Sequence, residues 1–226
     1  MYKSFSMELA GRTLTVDVGR VAAQANGAAF MHYGDTTILS TATASEKPRD
    51  GIDFFPLSVE YEEKLYASGK IPGGFNKREG KASEHAILTS RPMRPLFPKD
   101  YRNDVTLNNL VMSVDPECAP EVVAMLGSAI ATAISDIPFD GPCAMCQVGM
   151  INGEFVFNPS YAQDKLSDLH LTVASTREKV IMIEAGANEV PEAKMIEAIF
   201  AGHALNQQII EFIDKIVAEC GKEKHS

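Results

Sequence analysis

The chain has 226 residues, 45% of them hydrophobic and 23% charged, with a formal net charge of −9. This is close to ordinary globular usage and long enough for one large domain or two small ones around a substantial core. No apolar run is long enough to span a bilayer, "MYKSFSMELAG" has no signal-peptide apolar stretch, and four cysteines are too few for a disulfide scaffold, so a soluble, reduced, cytoplasmic protein is expected.

Residues 1–63 read as strands and tight turns. "SFSMELAG" alternates polar and apolar residues, and "RTLTVDVG" follows after a turn at Gly11. "RVAAQANGAAFMHYGDTTILSTATAS" is cut at Asn26-Gly27 and Gly34-Asp35, dipeptides that suit the positive φ of hairpin turns. "FFPLSVEYEE" is one more strand, and together these predict an antiparallel meander. In "ASEHAILTSRPMRPLFP", Ser83 suits a helix N-cap, and Pro92, Pro95 and Pro98 end the helix soon after Arg91. A strand is predicted over 104–115 and a buried helix over 120–135, with Pro120 in its first turn. Val122, Val123, Leu126, Ala129, Ile130 and Ala133 share a face of that helix, and "GSA" at 127–129 would let another backbone come close. "AMCQVGMINGEFVFNPS" is a hairpin around Asn152-Gly153, and "DLHLTVAST" with "EKVIMIEAG" makes a second. A helix from about Pro191 carries Met195, Ile199, His203, Ile210, Ile213 and Val217 at three- and four-residue steps, and residues 221–226 read as a frayed polar tail. With no linker in sight, the order predicts one α+β domain over residues 1–226, β-sheets with packed helices.

Most chemical motifs fail on spacing. Cys143-Ala-Met-Cys146 lacks a second ligand pair and falls on a strand, where residues three apart face opposite ways, so the thiols read as buried and unreactive. The histidines form no short-spaced cluster, and His203 reads as a satisfied core residue. No G-x-S-x-G occurs. Gly80-Lys81 is no P-loop either, because Phe75 and Ala82 stand where a glycine and a hydroxyl are needed. What remains is "GKIPGGFNKREGKASE", residues 69–84. Residues 70–102 hold eight Lys/Arg against three acids, a local charge of +5 that leaves −14 for the rest of the chain. Glycines allow close backbone approach, Lys77 and Arg78 supply charge, and Phe75 offers a face on which a base can stack; single-stranded RNA suits this composition.

"FPLSVEYEEKLYASGKIPGGFNKREGKASE" followed by "LTSRPMRPLFP" closely resembles the first core domain of the bacterial polynucleotide phosphorylase family, and so do "LAGRTLTVDVGRVAAQANGAAFMHYGDTTILSTATAS" and "MIEAGANEVPEAKMIEAIFAGH". The resemblance covers nearly the whole chain. It implies a ribonuclease PH-like (ribosomal protein S5 domain 2-like) fold. It also implies membership of a polyribonucleotide nucleotidyltransferase that degrades mRNA from the 3′ end with inorganic phosphate, releases nucleoside diphosphates and forms a homotrimer around a channel. A second core domain of the same enzyme would then carry the Mg²⁺, with none expected in this part, and the natural gene is expected to continue beyond Ser226.

In that family two aspartates and a lysine hold the metal and act on the leaving group. The matching stretch here is "QDKLSDLHLT": Asp164 and Asp168 are kept, while His170 and Thr172 replace the second catalytic aspartate and the lysine. Pro120 and Glu121 stand among the counterparts of the phosphate-binding serines, where proline removes a donor and glutamate repels an anion. The resemblance therefore implies a degenerate site with no catalytic and no metal-binding residue of its own. It assigns RNA contact to Phe75, Lys77 and Arg78 of the loop at the channel entrance, with Asn76 in place of a second aromatic. Arg91 and Arg94 match basic positions of the "RPxRPLFP" motif, where RNA contact and a structural role both stay open. Two other readings stand beside this one: a structural and oligomerisation module with no RNA role of its own, and an autonomous ribonuclease PH-like phosphorolytic enzyme.

Overall fold

A computed structural model describes residues 1–64 and 83–225. Two sheets and four helices make an α+β architecture. The strands β1 (Lys3–Leu9), β2 (Arg12–Val18), β3 (Gly27–Tyr33) and β4 (Thr36–Ala44) form the expected antiparallel meander. Two-residue turns join β1 to β2 and β3 to β4; Gly11 and Gly34 take φ of +78° and +55°, the left-handed region that glycine enters without a Cβ clash.

The meander does not continue into β5 (Leu57–Glu63) as expected. The strand β6 (Val105–Ser113) inserts between β4 and β5, antiparallel to the first and parallel to the second, giving the order β1-β2-β3-β4-β6-β5. Local alternation reads the same in either direction, so only the long connection from β5 to β6 decides its sense. Nor is Asn26-Gly27 a hairpin turn. Gly27 already pairs within β3, and a Cβ on it would lie 2.0 Å from the Ala131 carbonyl oxygen. Asn26 donates to Asp136 and accepts from the Ala44 amide, so this dipeptide docks the meander on the following helix.

That helix, α2 (Pro120–Ile134), is buried on every side, wider than the single face predicted. It lies on the inner face of the large sheet, with β7 (Ala144–Ile151) and α4 (Glu192–Cys220) on its other side. At Gly127 side chains come close where a backbone was expected: an added Cβ would stand 2.1 Å from Ser40 Oγ and 3.0 Å from Met31 Cγ. Its polar neighbours are paired, Ser40 and Ser128 both donating to Asn109 Oδ1 at 2.7 and 2.9 Å.

The second sheet runs β10-β9-β7-β8, from β8 (Glu154–Phe157), β9 (Leu169–Ser175) and β10 (Val180–Ala187). Its two hairpins are those expected, with Asn152 and Gly153 at φ of 52° and 77°. The helix α4 covers one face of this sheet. Ile210 and Ile213 are buried as expected, but in the first half of the helix the phase is rotated by one residue: the buried line runs through Ala198, Gly202 and Asn206, whereas Met195, Ile199 and His203 are half-buried. Small side chains permit the closer approach, since a Cβ on Gly202 would already touch Val173 Cγ2 at 3.0 Å. His203 is hydrogen-bonded to Ser175 Oγ at 2.9 Å. Cys143 and Cys146 point into different apolar clusters, and burial pushes the pKa of both thiols up to about 12.

The frayed tail requires correction over residues 221–225. Lys222 N donates to Ile134 O and His225 N to Asp136 O, while Lys224 Nζ reaches the carbonyls of Thr132, Ala133 and Ser135 at 2.9, 3.0 and 2.6 Å. A polar sequence is no sign of fraying where a helix end offers it carbonyls left without i+4 partners: the tail caps α2.

Candidate functional site

The residues expected to form a degenerate site lie on the face of the small sheet that α4 does not cover. His170 and Thr172 are two apart on β9 and so share a face. In register, Gln147 of β7 and Glu184 of β10 flank Thr172 on either side. Asp164 arrives from α3 (Tyr161–Leu166), a short helix held by a reciprocal cap in which Ser160 Oγ accepts from the Gln163 amide and the Gln163 side chain accepts from the Ser160 amide. With Leu88 of α1 (Ser83–Met93), these residues line a cleft of about 390 Å³. His170 Nδ1 donates to Asp164 Oδ1 at 2.8 Å, and both side chains are half exposed.

Three of the four residues singled out from sequence thus meet: Asp164, His170 and Thr172 line the cleft, and Asp168 does not. Asp168 instead has its backbone tied to Met150 and Asn188. Glu184 escaped sequence reasoning; its one signal was a lone acid inside the apolar run "VIMIEAG". The donor set does not fit Mg²⁺. An octahedral ion wants oxygens around it, whereas Asp164 is engaged by an imidazole and Thr172 is only 8% exposed. Among the described residues no group of three or more His, Cys, Asp or Glu stands where it could hold a metal ion.

The start of α2 is equally unlike an anion cradle. Ala119 precedes it without a side-chain cap, Pro120 brings no N–H, and Glu121 already sets a carboxylate in the first turn. Burial raises the Tyr61 hydroxyl's pKa, and the carboxylates of Glu121 and Glu63 raise it further; Tyr161 is shifted the same way for the same reasons. The His85 ring stacks on Tyr61 with centroids 4.7 Å apart.

Of the basic positions, Phe75, Lys77 and Arg78 lie outside the described residues. Arg94 is committed to the fold: Nη1 and Nη2 donate to the carbonyls of Phe55 and Leu57 at 2.9 and 3.3 Å, and the guanidinium lies 5.6 Å from the Phe55 ring centre. Arg91, exposed in the last turn of α1, makes no such bond to a described residue and lines a shallow groove with Ser90, Arg94 and Ile181–Ile183.

Two sheets sandwiching a buried helix, with a cleft on the smaller one, belong to a recognised class. The family profile described as "3′ exoribonuclease family, domain 1" matches residues 10–138, which hold β2 to β6 of the large sheet with α1 and α2, and "3′ exoribonuclease family, domain 2" matches residues 141–204. The chain belongs to the 3′ exoribonuclease family. It is 82% identical, over its full length, to the polyribonucleotide nucleotidyltransferase of Lachnoclostridium phytofermentans, and 59% identical over 99% of its length to that of Ruminiclostridium cellulolyticum. It spans about a third of those proteins, 33% and 32% respectively. Rice (Oryza sativa) Rrp46 shares the fold with a TM-score of 0.70 at 15% identity, over 90% of this chain and 94% of that one. Among the described residues no helix is long and apolar enough to cross a membrane.

Proposed function

We propose that the chain is the RNA-guiding, trimer-building part of a polyribonucleotide nucleotidyltransferase, a phosphate-dependent 3′-to-5′ exoribonuclease of the cytoplasm that acts in mRNA degradation. The phosphorolytic chemistry and its Mg²⁺ belong to a second core domain of the same enzyme. The observation that carries this reading is the His170–Asp164 hydrogen bond at 2.8 Å. The carboxylate kept from the family pattern is engaged by the residue that replaces its partner, and with Pro120 and Glu121 at the head of α2 neither metal nor phosphate finds its usual donors. Identity with named relatives supports the parent activity.

Single-stranded RNA is the ligand of the basic window around Lys77 and Arg78, joined by exposed Arg91 at the end of α1. Arg94 holds the start of β5 instead. Phosphate contacts release counterions, so RNA affinity falls with salt. Replacing Lys77 and Arg78 together by alanine should lower the slope of log K against log salt by about 1.4, at roughly 0.7 for each single-strand phosphate that is no longer neutralised. Fluorescence anisotropy with a labelled oligoadenylate across a salt series reads that slope. An unchanged slope removes the loop from RNA binding.

A further inference from the structure

Four elements meet at one corner beside the head of α2. Tyr61 and Glu63 are two apart on β5 and share a face, His85 and Glu121 lie in the first turns of α1 and α2, and Tyr161 opens α3. Tyr61 is 2% exposed, yet its hydroxyl has no hydrogen-bond partner among the described residues. The same holds for two more buried atoms, His85 Nδ1 and Glu121 Oε2. The three groups adjoin: the His85 ring lies within 17° of parallel to Tyr61, and the Glu121 and Glu63 carboxylates both act on the Tyr61 hydroxyl. Both also act on Tyr161, which is 46% exposed, so the corner opens to solvent on the α3 side. Neighbouring Glu62 is paired with Lys64, whereas Glu63 and Glu121 have no ion-pair partner among the described residues.

We propose that this corner binds the primary ammonium groups of an aliphatic diamine or polyamine. All three unpaired atoms can accept a hydrogen bond: a phenol oxygen, a carboxylate oxygen, and an imidazole Nδ1 when the ring proton sits on Nε2. A buried acceptor left unpaired is costly, and a primary ammonium carries three N–H donors, one for each. Charge decides between ligand classes. The head of a helix carries about half a positive unit, but Glu121 and Glu63 bring two negative ones, so the corner favours a cation over an anion. Two carboxylates match two ammonium groups, the first against Tyr61, His85 and Glu121, the second at Glu63, where the exposed Tyr161 ring adds a π face. A hard divalent metal is a poorer match, because two of the three acceptors are a neutral phenol and an imidazole. None of these residues belongs to the RNA-binding set, so the site stands apart from the loop's role.

Isothermal titration calorimetry of the 226-residue chain with 1,4-diaminobutane at low salt tests the assignment. Saturable binding at one site per chain is expected. Glu121→Gln should weaken it roughly tenfold and Tyr61→Phe roughly fivefold, since each removes one acceptor of a charged donor and keeps the side chain's shape. N,N,N′,N′-tetramethyl-1,4-diaminobutane keeps both charges but has one N–H at each end, and it should bind the unaltered chain at least tenfold more weakly. Circular dichroism checks that the variants fold; if one does not, the comparison of the two amines on the unaltered chain decides. Absence of saturable binding, equal affinity for the methylated amine, or folded variants that both bind like wild type would overturn the proposal.

Discussion

The Asp115 carboxylate accepts the backbone amides of Asp35 and Glu117 at 3.0 and 2.9 Å, joining the β3–β4 turn to the approach of α2. Those two amides hold its pKa below the ordinary 3.8. The folded form therefore favours the charged carboxylate, so this stability is complete above 3.8 and disappears as pH falls through the lower folded-state value. Asp115→Asn should cost about 1–2 kcal/mol at neutral pH, and the difference from wild type should vanish in strong acid. Urea unfolding at a series of pH values measures it; a gap that persists unchanged in acid would rule out the carboxylate charge as its source. At this scale the grouping of Asp164, His170 and Thr172 in one cleft was legible from the short stretch of sequence that holds them, although Asp168 of the same stretch lies outside it. Glu184 and the hold of Arg94 on Phe55 and Leu57 were not, since both depend on which strands lie side by side.

Among the elements, α2 is the one on which both sheets rely. Gly127→Ala should destabilise the chain by about 1–3 kcal/mol, because the added methyl meets the Ser40 hydroxyl that is already committed to Asn109. A denaturant midpoint equal to wild type would show that the sheet yields more readily than this packing implies. Strands, hairpins and helix limits followed from periodicity and turn residues, and most elements lie where the sequence placed them. The insertion of β6 beside β5 was hidden because strand neighbours are chosen by long-range packing. The phase of α4 was hidden for a related reason: Ala198 and Gly202 are buried for their smallness, a property that a search for large apolar residues passes over.

Across the whole molecule, charge is unevenly placed: a +5 window over residues 70–102 sits on a body of −14. Such a distribution steers a polyanion to one region while repelling it elsewhere. The tail shows where composition misleads at this scale, since "GKEKHS" is polar and yet residues 222, 224 and 225 fasten to the end of α2 and the residues that follow it. On the function proposed above, a ribonuclease PH-like fold here retains its scaffold without its chemistry. Release of ADP from poly(A) by the folded 226-residue chain, with Mg²⁺ and with or without inorganic phosphate, tests that claim most directly. No phosphate-dependent release is predicted. Release that requires phosphate and is abolished by Asp164→Asn would contradict it and make the cleft at His170 a working active site.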